Sequence, residues 1–179
     1  MDIVEPTEEE LIECYNIEKE YVLDKDTDEK RGFFLPGINL DTYKALYKSA
    51  YIRVIKDKSS VIAFVIVIPP GHSIIENLFK SESMILFDID KKDISTYYWI
   101  AKVAVTQAYV KQGFAQALYK EVEKEFSNNI AFTATAISPK RNFSSEKLHS
   151  NFGMKKCGLY LSKKNDDSFV SIVWRKYNH

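Results

Sequence analysis

The sequence has little of several features that mark whole classes of protein. Its 179 residues include two cysteines, six glycines and five prolines, and its longest apolar run, VIAFVIVI at residues 61–68, is far shorter than a membrane-spanning helix requires. The N-terminal stretch MDIVEPTEEE is acidic and lacks the pattern of a signal peptide. The sequence therefore predicts a cytoplasmic protein with no membrane partner.

An excess of charge of one sign is also absent. The chain carries 25 basic and 25 acidic side chains, so its net charge is zero and gives no indication of nucleic-acid binding. Hydrophobic residues make up 45% of the chain and aromatic residues 13%, which is typical of a folded protein. Because no linker, repeat or low-complexity segment divides the chain, we expect one domain over residues 1–179.

The two cysteines, Cys14 and Cys157, lie far apart in the sequence. Neither has another Cys or a His nearby at the spacing of metal ligands, so no metal site is expected. We interpret both as buried, reduced thiols. A catalytic cysteine is the less favoured alternative.

The first half of the chain predicts helices followed by a hairpin. After a short strand around Ile3 and Val4, Thr7 and Glu10 form a capping-box pattern at the start of the first helix. The apolar face of that helix carries Leu11, Cys14, Ile17 and Tyr21. The elements expected next are a helix at 40–49, a hairpin of strands at 51–55 and 61–68, and, between 72 and 96, a short helix and a strand MILFDI at 84–89.

The second half predicts a strand–helix–strand unit. Residues 97–105 are apolar, and Phe114, Leu118, Val122 and Phe126 recur at four-residue steps of an amphipathic helix before the β-branched strand AFTATAI at 131–137. Two strands joined by such a helix should be parallel. The elements that complete the chain are a helix at 144–152 and a closing hairpin of 154–161 and 169–174. The predicted fold class is α/β, with a mixed sheet that has only a small parallel portion.

One junction in this unit has the properties of an anion site. The stretch VAVTQAYVKQGFAQALYKEVEKEF runs from Val103 to Phe126 and contains one glycine, Gly113, where the helix begins. Backbone N–H groups at a helix N-terminus lack partners and attract phosphate. A tight turn that binds nothing is the alternative. The glycine spacing of neither a dinucleotide-binding nor a Walker loop is present.

Two stretches resemble the GNAT superfamily of N-acetyltransferases. VAVTQAYVKQGFAQAL resembles the acetyl-CoA signature of that family, with Val105, Tyr109, Gly113, Ala115 and Leu118 in register. NFSSEKLHSNFGM resembles its later motif, with Asn142, Ser145, Leu148 and Gly153 matching and Met154 in place of a Phe. Two departures are Val110, where the family usually has Arg or Gln, and Gln107, where it usually has Pro.

The resemblance implies a GNAT-like fold, in which a mixed, mostly antiparallel sheet with a central parallel strand pair is flanked by helices. It also implies acetyl-CoA as cosubstrate, no metal, and a homodimer. The residues that it implies for binding acetyl-CoA are Val103, Ala104, Val105, Val110, Lys111, Gln112, Gly113, Phe114, Ala115, Asn142 and Ser145.

The resemblance assigns catalysis to one residue and leaves another role unassigned. His149 stands where the family commonly has the tyrosine that protonates the departing CoA thiolate. Its alternatives are a packing histidine, or one that orders the thiol without transferring a proton. For the base that deprotonates the acceptor, a water chain competes with side chains at Tyr97, Tyr98, Glu76, Glu82, Asp88 and Asp90.

The acceptor site is expected at RGFFLPG (residues 31–37) and along 72–96, with Phe33, Phe34 and Tyr98 as candidate substrate-binding residues. These aromatic side chains have core packing as their alternative. The implied function is transfer of an acetyl group to a primary amine of an unidentified acceptor, either a small molecule or a protein or peptide. Two other classes compete, namely a catalytically silent acyl-CoA-binding sensor or interaction domain, and an interaction domain without a ligand.

Overall fold

In the computed structural model, residues 2–36, 39–87, 89, 91–164 and 166–177 are described, and within them helices pack on both faces of one sheet. The α-helices are α1 (Glu10–Lys19), α2 (Leu40–Tyr47), α3 (Ser73–Lys80), α4 (Phe114–Glu125) and α5 (Phe143–Asn151). The strands are β1 (Ile3–Val4), β2 (Tyr51–Asp57), β3 (Ser60–Ile68), β4 (Met84–Leu86), β5 (Tyr97–Val105), β6 (Ile130–Ser138), β7 (Lys155–Lys164) and β8 (Asp167–Tyr177). Short 3₁₀ segments lie at Lys91–Thr96 and Gln107–Tyr109.

The sheet has the strand order β1-β2-β3-β5-β6-β8-β7-β4. Among the described strands, β5 and β6 form a parallel pair and the other neighbours are antiparallel. The predicted mixed sheet with a small parallel portion is therefore confirmed. The strand predicted at 84–89 is shorter than expected, ends at Leu86, and pairs with β7 at the far edge of the sheet; Asp88 lies outside the described residues.

Both faces of the central strand β3 are covered, which explains its unbroken apolar sequence. Val65 and Val67 pack toward α4 and α5, whereas Phe64 and Ile66 pack toward α1 and α2. A third cluster places α3 on the same face as α1 and α2, where Phe79 packs on the strands around it. None of the described helices combines the length and apolarity that crossing a bilayer requires.

The predicted capping box and the buried face of Leu11, Cys14 and Ile17 in the N-terminal helix are confirmed, whereas Tyr21 lies beyond the end of the helix at Lys19. The Thr7 N–H donates to the Glu10 carboxylate at 2.8 Å, and the Glu10 N–H donates to the Thr7 hydroxyl at 3.3 Å, which together form a capping box. Cys14 and Cys157 are free and buried. Burial raises the pKa of Cys14 to about 12 and that of Cys157 to about 11, so neither thiol is activated for catalysis.

The parallel strands β5 and β6 separate after a short paired segment. Their register covers three pairs, from Tyr97–Ile130 to Trp99–Phe132. Beyond it the Thr133 hydroxyl donates to the Ile100 carbonyl at 2.9 Å, so a side chain takes an acceptor that a continuing ladder would use. Further along, the two strands leave a gap at the middle of the sheet.

A β-bulge accompanies the separation. In β5, Lys102 pairs with Ile66 and Ile100 pairs with Val67, so Ala101 has no partner on β3. A bulge bends its strand and increases its twist. It also shifts the alternation of side chains, since Ile100 faces α4 before the bulge while Lys102 faces α1 and α2 after it.

The close approach of β4 to β7 predicts a strong effect at Gly158. A Cβ built on Gly158 would lie 2.3 Å from the Ile85 carbonyl oxygen and 2.9 Å from a methyl group of Leu86. We expect Gly158→Ala to lower the free energy of unfolding by about 1–3 kcal/mol, because β4 would have to move away. Urea unfolding measures this change. Ser162→Ala on the same strand is the control, since its buried hydroxyl has no hydrogen-bond partner among the described residues and its loss should cost little. Equal stabilities of the two variants would contradict the prediction.

Candidate functional site

The gap between β5 and β6 is bounded by two helix N-termini. The turn after β5 leads into α4 on one side, and the turn after β6 leads into α5 on the other. Both helices pack on the same face of the sheet, where their core side chains meet at Tyr119 and Phe152, whose ring centroids are 4.7 Å apart. The residues predicted from the two motifs therefore converge on one place in the fold.

The start of α4 presents unpartnered backbone donors. Among the described residues, the N–H groups of Val110, Lys111, Gln112 and Gly113 have no hydrogen-bond acceptor. Gly113 has φ of +87° and Lys111 has φ of +64°, so the backbone curls and its amides form a concave nest. The side chains of Lys111 and Gln112 are exposed beside it. This nest, with the positive end of a 12-residue helix, is suited to an anion.

Glycine is required at position 113 for its backbone conformation, and the space above it is open. A Cβ there would have no atom within 4 Å outside its chain neighbours, so no part of the described fold fills that space. Tyr109 anchors the turn through its hydroxyl, which donates to Asp57 on β2. The hydroxyl of Tyr21 donates to the Val105 carbonyl at 2.6 Å and holds the end of β5.

On the opposite side of the gap, Asn142 fixes the start of α5. Its side-chain oxygen accepts from the Ser145 N–H at 3.0 Å, and its NH₂ group donates to the Phe33 carbonyl at 2.7 Å. Asn142 is 6% exposed, so its amide is engaged in these contacts within the fold. Its observed role is to cap the helix and to fasten the segment between α1 and α2.

That segment is held down at several further points. The Lys140 ammonium donates to the carbonyls of Lys25 and Thr27, at 2.6 and 3.0 Å. The Phe143 N–H donates to the Glu29 carbonyl at 3.2 Å. The connection from α1 to α2 therefore lies against the turn from β6 to α5 and forms one wall beside the gap.

A chain of hydrogen bonds joins β6, α5 and α4 at the gap. The Thr135 and Ser145 hydroxyl oxygens are 3.2 Å apart, Ser145 Oγ is 2.9 Å from His149 Nε2, and His149 Nδ1 is 2.9 Å from the Tyr119 hydroxyl. Thr135, His149 and Tyr119 are buried, whereas Ser145 is half-buried. Tyr119 is a member of this chain that the sequence analysis did not identify.

His149 is not placed as a direct proton donor. It is 2% exposed, and burial lowers its pKa to about 3, although the nearby Glu146 carboxylate acts in the opposite direction. The imidazole is therefore neutral near pH 7, and both ring nitrogens are engaged. This geometry favours the alternative in which His149 orders a neighbouring group without giving up a proton itself.

On the other face of the gap lies a buried ionic network that the sequence analysis missed. The Lys102 ammonium contacts the Glu18 carboxylate, which also accepts from the Tyr43 hydroxyl. Lys102 lies 4.8 Å from the centre of the Phe34 ring. A lone lysine in the apolar run WIAKVAV is the sequence feature that could have revealed the network. Burial of a charge requires such pairing.

The predicted acceptor aromatics divide into two groups. Phe34 is half-buried over Lys102 beside the gap, whereas Phe33 is 6% exposed and fills the core. Tyr98 is fully buried and stacks on Phe126 at 4.8 Å, so its assignment to the substrate is wrong: it packs under α4.

The candidate bases that the structure describes are not gathered at the gap. Tyr97 is 3% exposed and packs on Phe79 and Phe132, so it belongs to the core. Glu76 is on the exposed face of α3 and pairs with Lys80. Glu82 is exposed in the turn after α3. The remaining two, Asp88 and Asp90, lie outside the described residues.

A surface groove of about 390 Å³ lies next to the wall that the α1–α2 connection forms beside the gap. It is formed where the α1–α2 connection, the turn after β6 and the start of β8 meet. Its lining combines apolar side chains with carboxylates and ammonium groups: Leu23, Asp24, Lys25, Pro36, Pro139, Lys140, Asp167 and Phe169. Groups of three or more metal-ligating side chains do not occur in the part of the chain that the structure describes.

The buried His149 predicts a specific pH dependence of stability. Its pKa is about 3 in the folded protein and ordinarily 6.5, so the unfolded chain binds the extra proton between these values. Stability from this residue is present above pH 6.5 and is lost as the pH falls toward 3. We expect wild type to lose up to about 1.4 kcal/mol per pH unit more than His149→Gln between pH 6.5 and 5. Parallel curves of unfolding free energy against pH would contradict this.

No protein-family model and no curated protein matches the sequence, but solved structures match the fold. A ribosomal-protein-S18-alanine N-acetyltransferase from Escherichia coli has a TM-score of 0.64 and 14% identity, over 97% of this chain and 91% of its own. An N-acetyltransferase from Staphylococcus aureus Mu50 has a TM-score of 0.68 and 15% identity, over 99% of this chain and 98% of its own. NAA60 from Arabidopsis thaliana, in complex with acetyl-CoA, has a TM-score of 0.66 and 16% identity, over 98% of both chains. The chain therefore has the fold of the GNAT N-acetyltransferases, as the two sequence motifs predicted.

Proposed function

We propose that the protein is an N-acetyltransferase that moves an acetyl group from acetyl-CoA to a primary amine. The observation that carries this proposal is the unpartnered amide nest at Val110–Gly113 beside the gap between β5 and β6. The likeness to N-acetyltransferases of known structure supports it. Acetyl-CoA supplies an acyl group activated as a thioester, and the protein's residues bind it and orient its partner.

The residues at the gap fit acetyl-CoA at two points. The amide nest and the Lys111 and Gln112 side chains suit a pyrophosphate, and the open space at Gly113 leaves its backbone accessible. The edge of β5 that faces β6 lacks a strand partner after Trp99. A peptide-like pantetheine arm can hydrogen-bond to such an edge as an added strand does. In this proposal the backbone N–H groups of Val103 and Val105, which point away from β3, polarise the thioester carbonyl, whereas the N–H of Ala104 points to β3.

The acceptor is proposed to enter from the α1–α2 side. The groove of about 390 Å³ there is open to solvent and combines apolar walls with two carboxylates, Asp24 and Asp167, and two ammonium groups, Lys25 and Lys140, so it offers hydrogen-bonding groups without favouring one charge. This lining suits an amine on a small molecule or at the end of a peptide. The name of the Escherichia coli protein states an alanine of a ribosomal protein as its acceptor, which favours testing peptide N-termini first.

Binding of acetyl-CoA is tested by thermal unfolding. We expect acetyl-CoA at about one hundred times its dissociation constant to stabilise the protein by about 2.7 kcal/mol. Gly113→Leu should abolish this shift, because the side chain fills the space beside the nest. Gly71→Leu is the matched control, since Gly71 also has a left-handed φ (+78°) and open space around it but lies after β3. Loss of the shift in both variants, or in neither, would contradict the assignment of the nest.

Turnover separates an enzyme from a silent acyl-CoA-binding module. We expect wild type to release free CoA thiol only when an amine is present, in a panel of small amines and peptides with free N-termini. The rate should rise with pH until the acceptor amine is neutral, because only the neutral amine attacks. Binding of acetyl-CoA without release on any amine would favour the silent module.

A further inference from the structure

We propose that Ser145, oriented by the buried chain of Tyr119, His149 and Thr135, is the hydrogen-bond donor to the thiolate that leaves when the acetyl group is transferred. This inference rests on the proposed function. It replaces a direct role for His149 with a positioning role, and it assigns Ser145 to the reacting atoms as a donor.

The direction of the hydrogen bonds follows from counting donors and acceptors. Among the described residues, the buried Tyr119 hydroxyl has one partner, His149 Nδ1, so it donates to that nitrogen. The imidazole then carries its proton on Nε2 and donates to Ser145 Oγ at 2.9 Å. The two hydrogen bonds, from Tyr119 to His149 and from His149 to Ser145, are therefore both donated in the direction of the gap.

Thr135 is the second hydrogen-bond partner of the Ser145 hydroxyl. Its buried hydroxyl is 3.2 Å from Ser145 Oγ and has no other partner in the described part of the chain, so it also donates to Ser145. Both lone pairs of the Ser145 oxygen are then occupied, and its own proton has no acceptor within the chain of groups. A hydroxyl that accepts two hydrogen bonds becomes a stronger donor, because the bonds polarise one another.

Exposure identifies the member of the chain that a ligand can touch. Tyr119, His149 and Thr135 are each at most 2% exposed, whereas Ser145 is half-buried in the first turn of α5. That turn packs on the part of β6 that has separated from β5. Negative charge in acyl transfer develops on the carbonyl oxygen and on sulfur. Amides of β5 are assigned to the carbonyl oxygen of the thioester. Ser145, the donor on the β6 side, is therefore assigned to the sulfur.

The step balances without a net acid from the protein. The amine nitrogen forms a bond to the acetyl carbon, the carbon–sulfur bond breaks, and its electron pair stays on sulfur. The proton lost by nitrogen is the one that finally neutralises the thiolate, with water as carrier. Ser145 donates a hydrogen bond to the charged sulfur and keeps its proton, so no buried phenolate or imidazolium forms at Tyr119 or His149.

The test is the acidity of CoA thiol when it is bound as product, followed by the ultraviolet absorbance of the thiolate during a pH titration. We expect Ser145→Ala to raise the pKa of the bound thiol by about 1–2 units, which corresponds to loss of one hydrogen bond to a charged group. Its kcat should fall about tenfold to a hundredfold, with a smaller change in KM for acetyl-CoA. Ser150→Ala, an exposed serine on the same helix, should change neither quantity.

The charged groups near this end of α5 are unchanged in these variants. Glu146 pairs with Arg141 and Lys156, so a shift in Ser145→Ala reports the serine and not a rearranged charge. Tyr119→Phe tests the chain itself, since it removes the donor that sets the His149 tautomer. We expect it to raise the thiol pKa by a smaller amount, and Ser145→Thr, which keeps the hydroxyl, to restore most of the wild-type value.

The outcomes distinguish the two proposals. If wild type binds CoA and Ser145→Ala has the same thiol pKa and kcat, the role of Ser145 is overturned while the acetyltransferase stands. If Ser145→Ala shows the shift and Tyr119→Phe does not, the serine acts without the buried chain and that part of the inference is overturned. If wild type does not bind CoA, both proposals fall together.

Discussion

The separation of β5 from β6 is the constraint on which the rest of this structure depends. Unpaired backbone groups in the middle of a sheet are costly, so a gap there needs compensation. The Thr133 hydroxyl supplies it at the Ile100 carbonyl, and a bulge at Ala101 bends β5 next to that bond. The two following turns then carry helix N-termini to the same opening. An anion nest and a polar chain can meet there only because the ladder stops.

Burial decides which polar groups at this opening can take part in chemistry. The nest at Val110–Gly113 is exposed, and its N–H groups have no acceptor in the described part of the chain, so they are accessible from solvent. His149 and Tyr119 are buried and engaged with each other, so neither presents its polar atoms directly to the opening. On the opposite face, the Glu18–Lys102 pair is also buried, and removing either residue would break a buried ion pair, which is destabilising. The buried polar groups beneath the opening thus mainly hold the surrounding strands and helices in place.

Elements with local causes were predictable from the sequence. The bounds of β5 agree with the apolar run at 97–105, and the capping box of Thr7 and Glu10 forms as its spacing predicts. Interactions between distant segments were not. The pairing of β4 with β7 joins strands about 70 residues apart and needs Gly158 to let them approach. The bulge that turns Lys102 toward Glu18 is set by the register with β3, which no local pattern encodes.

The placement of the sheet edges limits how this molecule can associate with others. Among the described strands, the two outermost are β1 and β4, with two and three residues. The edge strands offer few free N–H and C=O groups, but β1 pairs with only two residues of β2 and β4 with only three residues of β7, so the outer edges of β2 and β7 are covered only in part. Short edges of this kind protect against uncontrolled strand addition. A twofold assembly could therefore pair strands only along the parts of β2 or β7 that the described edge strands leave uncovered, and would otherwise be built from side-chain faces, whose shape and polarity can specify one partner and one orientation.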